Sequence, residues 1–120
     1  MKERLFSNLL FMGLVFFLSS NSVYASPYGC SGKVKHLGVD SGGDIVVELE
    51  GVTPVHKICN VNSKGSYTFE TSSCKLVYSA LLSAKVSERE ISISYNNNQS
   101  CSTLPTWGYV FDAYYIQGPS

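Results

Sequence analysis

The residues whose types could do chemistry are two histidines, four cysteines, a few carboxylates and a run of aromatic side chains. His36 and His56 are the only histidines. A catalytic role needs a nucleophile or carboxylate within reach, and the chain has no G-x-S-x-G, H-E-x-x-H or similar local signature. Both are therefore expected to be ordinary surface or half-buried residues. Asp40, Asp44, Glu48 and Glu50 could offer oxygen ligands to calcium, but their spacing is not that of an EF-hand loop. Acids spaced in this way along a strand read as a solvated face. Asp112 stands within an aromatic stretch, where it either pairs with Lys33 or Lys35 or points outward. No enzymatic activity, metal or cofactor is expected.

The cysteines, Cys30, Cys59, Cys74 and Cys101, are too widely spaced for the tight pairs of a zinc site. An even number in a small exported chain points to two disulfides, with three possible connectivities. Export is expected from residues 1–25. Lys2 and Arg4 precede the apolar core "LLFMGLVFFL", and "VYA" places a small residue before Ser26. The core is too short to span a bilayer, and no second apolar run of membrane length follows. Removal of this signal peptide leaves residues 26–120 as a single domain, secreted or periplasmic, with no membrane span. Seven bases then face eight acids. Such a near-neutral domain has no electrostatic footprint for nucleic acid or for a charged membrane surface.

The elements that would position these residues follow from hydrophobic period. Gly32–Asp40 is a first strand whose broken alternation calls for a bulge near His36. "SGG" then marks a hairpin turn. Asp44–Gly51 is the clearest strand, with Ile45, Val47 and Leu49 inward and Val46, Glu48 and Glu50 outward. Val55–Val61 completes an antiparallel meander. After a polar loop, Asn62–Thr71, a helix capped by Ser72 or Ser73 should carry Val77, Leu81 and Ala84 inward, with Leu76, Tyr78 and Leu82 widening the stripe. Glu90–Tyr95 alternates cleanly, "NNNQS" is a polar turn, and Trp107–Gln117 reads as one long aromatic strand packed on both sides.

The order β-β-β-α-β-β is that of a five-stranded OB-like barrel, mainly β with one helix. In that fold a Cys59–Cys74 bond would tie the helix to the strand it just left, stabilising by about 3 kcal/mol. Cys30–Cys101 would then pair by default. The alternative is Cys30–Cys59 with Cys74–Cys101.

Cys59, Cys74, Tyr78, Leu81, Leu82 and the "ISISY" strand resemble a pattern in the binding subunits of pentameric bacterial toxins of the subtilase-cytotoxin type. The chain also looks like small exported bacterial proteins with a "CKxxYSxLLxA" helix and an aromatic last strand. The resemblance implies an OB fold, a glycan partner and a ring-shaped homo-oligomer. It carries over no sugar-contacting residue. Asn98 heads a formal N-glycosylation sequon, which a bacterial resemblance sets aside.

Trp107, Tyr109, Phe111, Tyr114 and Tyr115 suit a core, but a small barrel cannot hold them all. The surplus defines a candidate outward binding surface of Tyr67, Phe69, Trp107, Tyr109 and Tyr114. Three function classes follow: an exported binding module for a glycan or protein partner, a small secreted enzyme, or a monomeric periplasmic inhibitor or structural protein. The first is the expectation. The second would need a cleft joining His36 or His56 to Asp112. The third would need the Asn62–Thr71 loop to project outward.

Overall fold

The structure, a computed structural model, describes residues 26–120, so the expected signal peptide lies outside the described residues. The chain folds as β1 (Ser26–Val39), β2 (Asp44–Leu49), β3 (His56–Asn60), α1 (Thr71–Ser87), β4 (Glu90–Asn97), a 3-10 turn (Cys101–Thr103), β5 (Gly108–Tyr109) and β6 (Ala113–Gln117). It is mainly β with one helix and two disulfides, Cys30–Cys101 and Cys59–Cys74.

β1 is longer than its sequence pattern suggests because it serves two neighbours. Residues Ser26 to Lys33 pair with β4 and residues Val34 to Val39 with β2, both antiparallel. The register shifts between Val34 and His36, where the broken alternation calls for a bulge. β2 pairs antiparallel with β3, completing the meander. The inward set Ile45, Val47 and Leu49 is fully buried. Val46 and Asp44 are buried too, so the outer face of β2 is not the solvated acidic surface expected of it.

The single long last strand does not form, and neither does a five-stranded barrel. The segment breaks into β5, which pairs parallel with β3, and β6, which pairs antiparallel with β4. The result is an open six-stranded sheet in the order β5-β3-β2-β1-β4-β6, whose two edges come from consecutive pieces of one segment. The cause lies in the phase of the buried residues. Val110 and Ala113 are both buried, but residues three apart on a regular strand face opposite sides. The turn at Phe111 and Asp112 resolves the conflict. It is held by hydrogen bonds on all sides. Val110 N–H donates to Lys57 C=O (2.8 Å), Thr68 N–H to Phe111 C=O (3.0 Å) and Asn96 N–H to Asp112 C=O (3.1 Å).

α1 buries Cys74, Val77, Leu81 and Ala84, the expected helical stripe, against β1, β3 and β4. The wider stripe forms only at Tyr78, which is half-buried against the core, while Leu76 is 73% exposed and Leu82 is exposed as well. Nor does serine cap the helix. Glu70 is the N-cap and makes no side-chain capping bond, so Ser72 and Ser73 fall inside the first turn. The Cys59–Cys74 bridge instead fixes this end of the helix to β3. The other end stops at Glu88, whose left-handed backbone lets its own N–H donate to the Lys85 carbonyl and Arg89 N–H to the Ala84 carbonyl.

The two bridges close chain loops of different length, 15 and 71 residues apart. Cys59→Ala/Cys74→Ala is expected to lower unfolding free energy by about 3 kcal/mol, and Cys30→Ala/Cys101→Ala by about 4 kcal/mol. Urea titration of the oxidised proteins reads both. A loss below about 1 kcal/mol for either pair would mean that its bridge constrains little of the unfolded chain.

Candidate functional site

The two histidines go to different places. His36 is exposed, and its ring meets the Trp107 ring edge-on at 5.8 Å. His56 is completely buried, deeper than the surface or half-buried position expected of it. Its Nδ1 lies 2.8 Å from the Pro54 carbonyl, an acceptor only, so Nδ1 carries the proton. Nε2 is then the acceptor, and the Tyr95 hydroxyl donates to it at 2.7 Å. Burial pushes the His56 pKa below its ordinary value and the Tyr95 pKa well above its own. The Tyr95 ring stacks on Tyr28 at 5.5 Å, and the Tyr28 hydroxyl donates to Asn97 Oδ1 at 2.7 Å. This line of side chains runs from the core to Asn97 at the end of β4. Neither histidine hydrogen-bonds to Asp112.

The acids also separate. Asp40 accepts the backbone N–H groups of Gly42 and Asp44, each at 3.0 Å, and its other oxygen lies 3.3 Å from Lys57 Nζ. The Asp44 N–H bond, with help from Lys57, holds the Asp40 carboxyl below the usual carboxylate range. Asp44 faces Lys57 at 3.8 Å and accepts from Asn60 Nδ2 and the Tyr67 hydroxyl, both at 3.0 Å. These two acids are thus engaged with Lys57 and the hairpin turn. Asp112 is exposed and, among the described residues, pairs with neither Lys33 nor Lys35.

The candidate binding residues divide at the break in the last strand. Before it, Trp107 and Tyr109 are 57% and 55% exposed, and Phe111 is exposed on the same side, with Gly108 and Val110 turned inward between them. Tyr109 and Phe111 stack nearly parallel at 5.7 Å, and Lys57 Nζ sits 4.7 Å from the centre of the Tyr109 ring. Tyr67 is buried rather than outward: it braces Phe111 edge-on at 5.1 Å while its hydroxyl holds Asp44. After the break, Tyr114 and Tyr115 are exposed and, with half-buried Phe69 and exposed Leu76, line a groove of about 300 Å³ between β6 and α1. Phe69 and Tyr114 therefore belong to a different surface from Trp107 and Tyr109. Within the Asn62–Thr71 loop Tyr67 is buried and Thr68 is bonded twice to the Phe111 carbonyl, while residues 62–66 are exposed.

Trp107 is held in the left-handed region, at φ 58°, by a tight turn in which Gly108 N–H donates to Pro105 C=O at 3.0 Å. A bulky residue at positive φ is strained, by an amount of order 1 kcal/mol or more. Gly108 admits no side chain, since a Cβ there would lie 2.6 Å from Pro105. The chain thus holds an exposed tryptophan in a conformation that glycine would adopt more easily.

Beside Tyr109 and Phe111 lies a depression of about 250 Å³ bounded by Asn97, Asn98, Gln99 and Asp112. The amide run "NNNQS" was legible only as a turn. Its composition is the signal that sequence reading passed over, and Lys57 and Asn60 gave no signal at all. Compared with known proteins, the chain matches no family profile, no curated protein and no solved structure.

Because His56 is buried neutral, the unfolded chain binds a proton more readily than the folded one. Stability is expected to be full above the unfolded histidine pKa of about 6.5 and to fall as pH drops below it. Asp40 acts in a lower window, since its stabilisation is lost only as pH falls through its depressed pKa. Urea titrations of wild type and His56→Gln between about pH 7.5 and 5 test this, with the slope expected only in wild type. Equal slopes would assign the pH dependence to other groups.

Proposed function

We propose that this protein is an exported binding module, not an enzyme, that recognises a glycan through the face carrying Trp107, Tyr109 and Phe111. In this reading it is similar to toxin binding subunits of the subtilase-cytotoxin type. Its fold is an OB-like arrangement with the last strand broken and the seam left open. The two disulfides suit an oxidising compartment, and no helix among the described residues is long and apolar enough to cross a membrane.

The observation that carries the proposal is Trp107. An exposed tryptophan held at positive φ, followed by two parallel exposed rings, contributes little to the core and weakens the turn that bears it. Backbone strain of this kind concentrates at functional positions. Flat rings suit the apolar faces of sugar rings, because they bury area while their edges stay wet. A ring-shaped oligomer would multiply weak single-site affinities, which makes avidity part of the proposal.

Trp107→Gly separates binding from structure. The variant is expected to fold with unchanged or slightly higher stability, because glycine adopts the left-handed turn without strain. Its binding to an immobilised glycan array is expected to fall by about tenfold or more, as for an aromatic hot spot. Stability lost to the extent of a buried aromatic, about 3–5 kcal/mol, with array binding intact, would make Trp107 structural and remove the basis of the reading.

A further inference from the structure

We infer that the depression bounded by Asn97, Asn98, Gln99 and Asp112 against Tyr109 and Phe111 is a saccharide subsite that accepts an uncharged sugar ring and rejects acidic ones. This inference rests on the glycan reading above and adds the position and charge class of the ligand.

The walls carry polar groups left free by the protein. Asn97 Oδ1 accepts from the Tyr28 hydroxyl at 2.7 Å and from Gln99 N–H at 2.9 Å. Two donors on one oxygen settle the orientation of this amide, so its NH2 group is the end available to a ligand. The Asp112 carboxylate has no hydrogen-bond donor or cation among the described residues. The Asn98 and Gln99 amides are exposed and unpaired within the described chain. Together these groups offer both donors and a strong acceptor, as neighbouring sugar hydroxyls require. One wall is aromatic, formed by the parallel pair Tyr109 and Phe111.

The loop is fixed before any ligand arrives. The Cys30–Cys101 bridge ties its end to β1, and Ser100 N–H donates to Thr103 Oγ1 at 2.8 Å. Asn96 N–H holds the backbone of Asp112 beside it. Preorganisation of this kind lowers the entropy cost of binding.

Charge decides the class. No lysine, arginine or histidine lines the depression, and its one ionisable acid is Asp112. Lys57, the cation beside Tyr109, already faces Asp40 and Asp44. A sialylated or sulfated ring would bring a second anion against Asp112 with no compensating base. At about 250 Å³ the space lies below the range of pockets that enclose drug-sized ligands, and suits one terminal ring. A neighbouring depression of about 460 Å³, between the same loop and Ser26 to Gly29, has the single ring of Tyr28 in place of the parallel pair and no acid.

The test uses 15N-labelled, oxidised protein exported from cells expressing the full chain. It is titrated with galactose-, glucose- and N-acetylglucosamine-terminated oligosaccharides, and with sialylated and sulfated forms of the same cores. Neutral sugars are expected to shift the side-chain amide signals of Asn97, Asn98 and Gln99. Asp112→Asn, an exposed and conservative change, is expected to weaken that binding by about tenfold through loss of a charged acceptor. Equal or tighter binding of the acidic forms would overturn the charge class and leave the glycan reading standing. Sugar-induced shifts that spare Asn97, Asn98 and Gln99 would overturn the position. No shift anywhere with either class would overturn the subsite and the glycan reading together.

Discussion

Val110 and Ala113 both belong to the core, and the side chains of a regular strand alternate. Residues three apart cannot both point inward unless the strand breaks between them. Phe111 and Asp112 make that break, and the rest of the architecture follows from it. One segment becomes two edge strands, β5 beside β3 and β6 beside β4, and the sheet stays open. The break also turns aromatic rings outward on both of its sides. An unbroken strand in the phase of Ala113 would turn Trp107, Tyr109, Phe111 and Tyr115 inward together, into a core already filled by Tyr95, Ile58 and Leu81. Asp112, at the turn itself, reaches water beside the amides of the loop after β4.

The surrounding structure supports this break from several directions. β3 receives the Val110 amide, the loop before α1 bonds the Phe111 carbonyl through Thr68, and β4 bonds the Asp112 carbonyl through Asn96. Buried Tyr67 braces the Phe111 ring and carries the connection to Asp44 and the β1–β2 turn. The two disulfides act on the same region from either side. Cys59–Cys74 fixes α1 to β3, and Cys30–Cys101 fixes the loop after β4 to β1. A small domain with a limited core gains rigidity in this way where packing alone would not supply it.

Elements with a clean hydrophobic period were legible in the sequence. Ile91, Ile93 and Tyr95 point inward along β4, Ile45, Val47 and Leu49 along β2, and Val77, Leu81 and Ala84 along α1. The bulge near His36 was legible because Val34 and Leu37 fall out of phase. The break in the last strand was not, because Trp107–Gln117 carries apolar groups at nearly every position and period cannot reveal a change of phase there. The helix cap was misplaced because a serine before an apolar stripe is a common signal that Glu70 leaves unused. Tyr67 and the acids of the β1–β2 turn were misjudged for a shared reason. Their partners, Lys57 and Asn60, lie on another strand, and only the tertiary pairing of β2 with β3 brings them together. The candidate surface was legible in its aromatic types, while its division into two surfaces depends on the break.

Trp107 is the only tryptophan in the chain, so its fluorescence reports the central claim directly. Acrylamide quenching of the native oxidised protein should approach that of the urea-unfolded chain, because the indole is more than half exposed. Saturating the protein with a glycan that it binds should then shield Trp107 and shift its emission to the blue. A native tryptophan as protected as a buried core residue would contradict the outward face. Quenching that stays the same when the glycan is bound would contradict the use of that face for recognition.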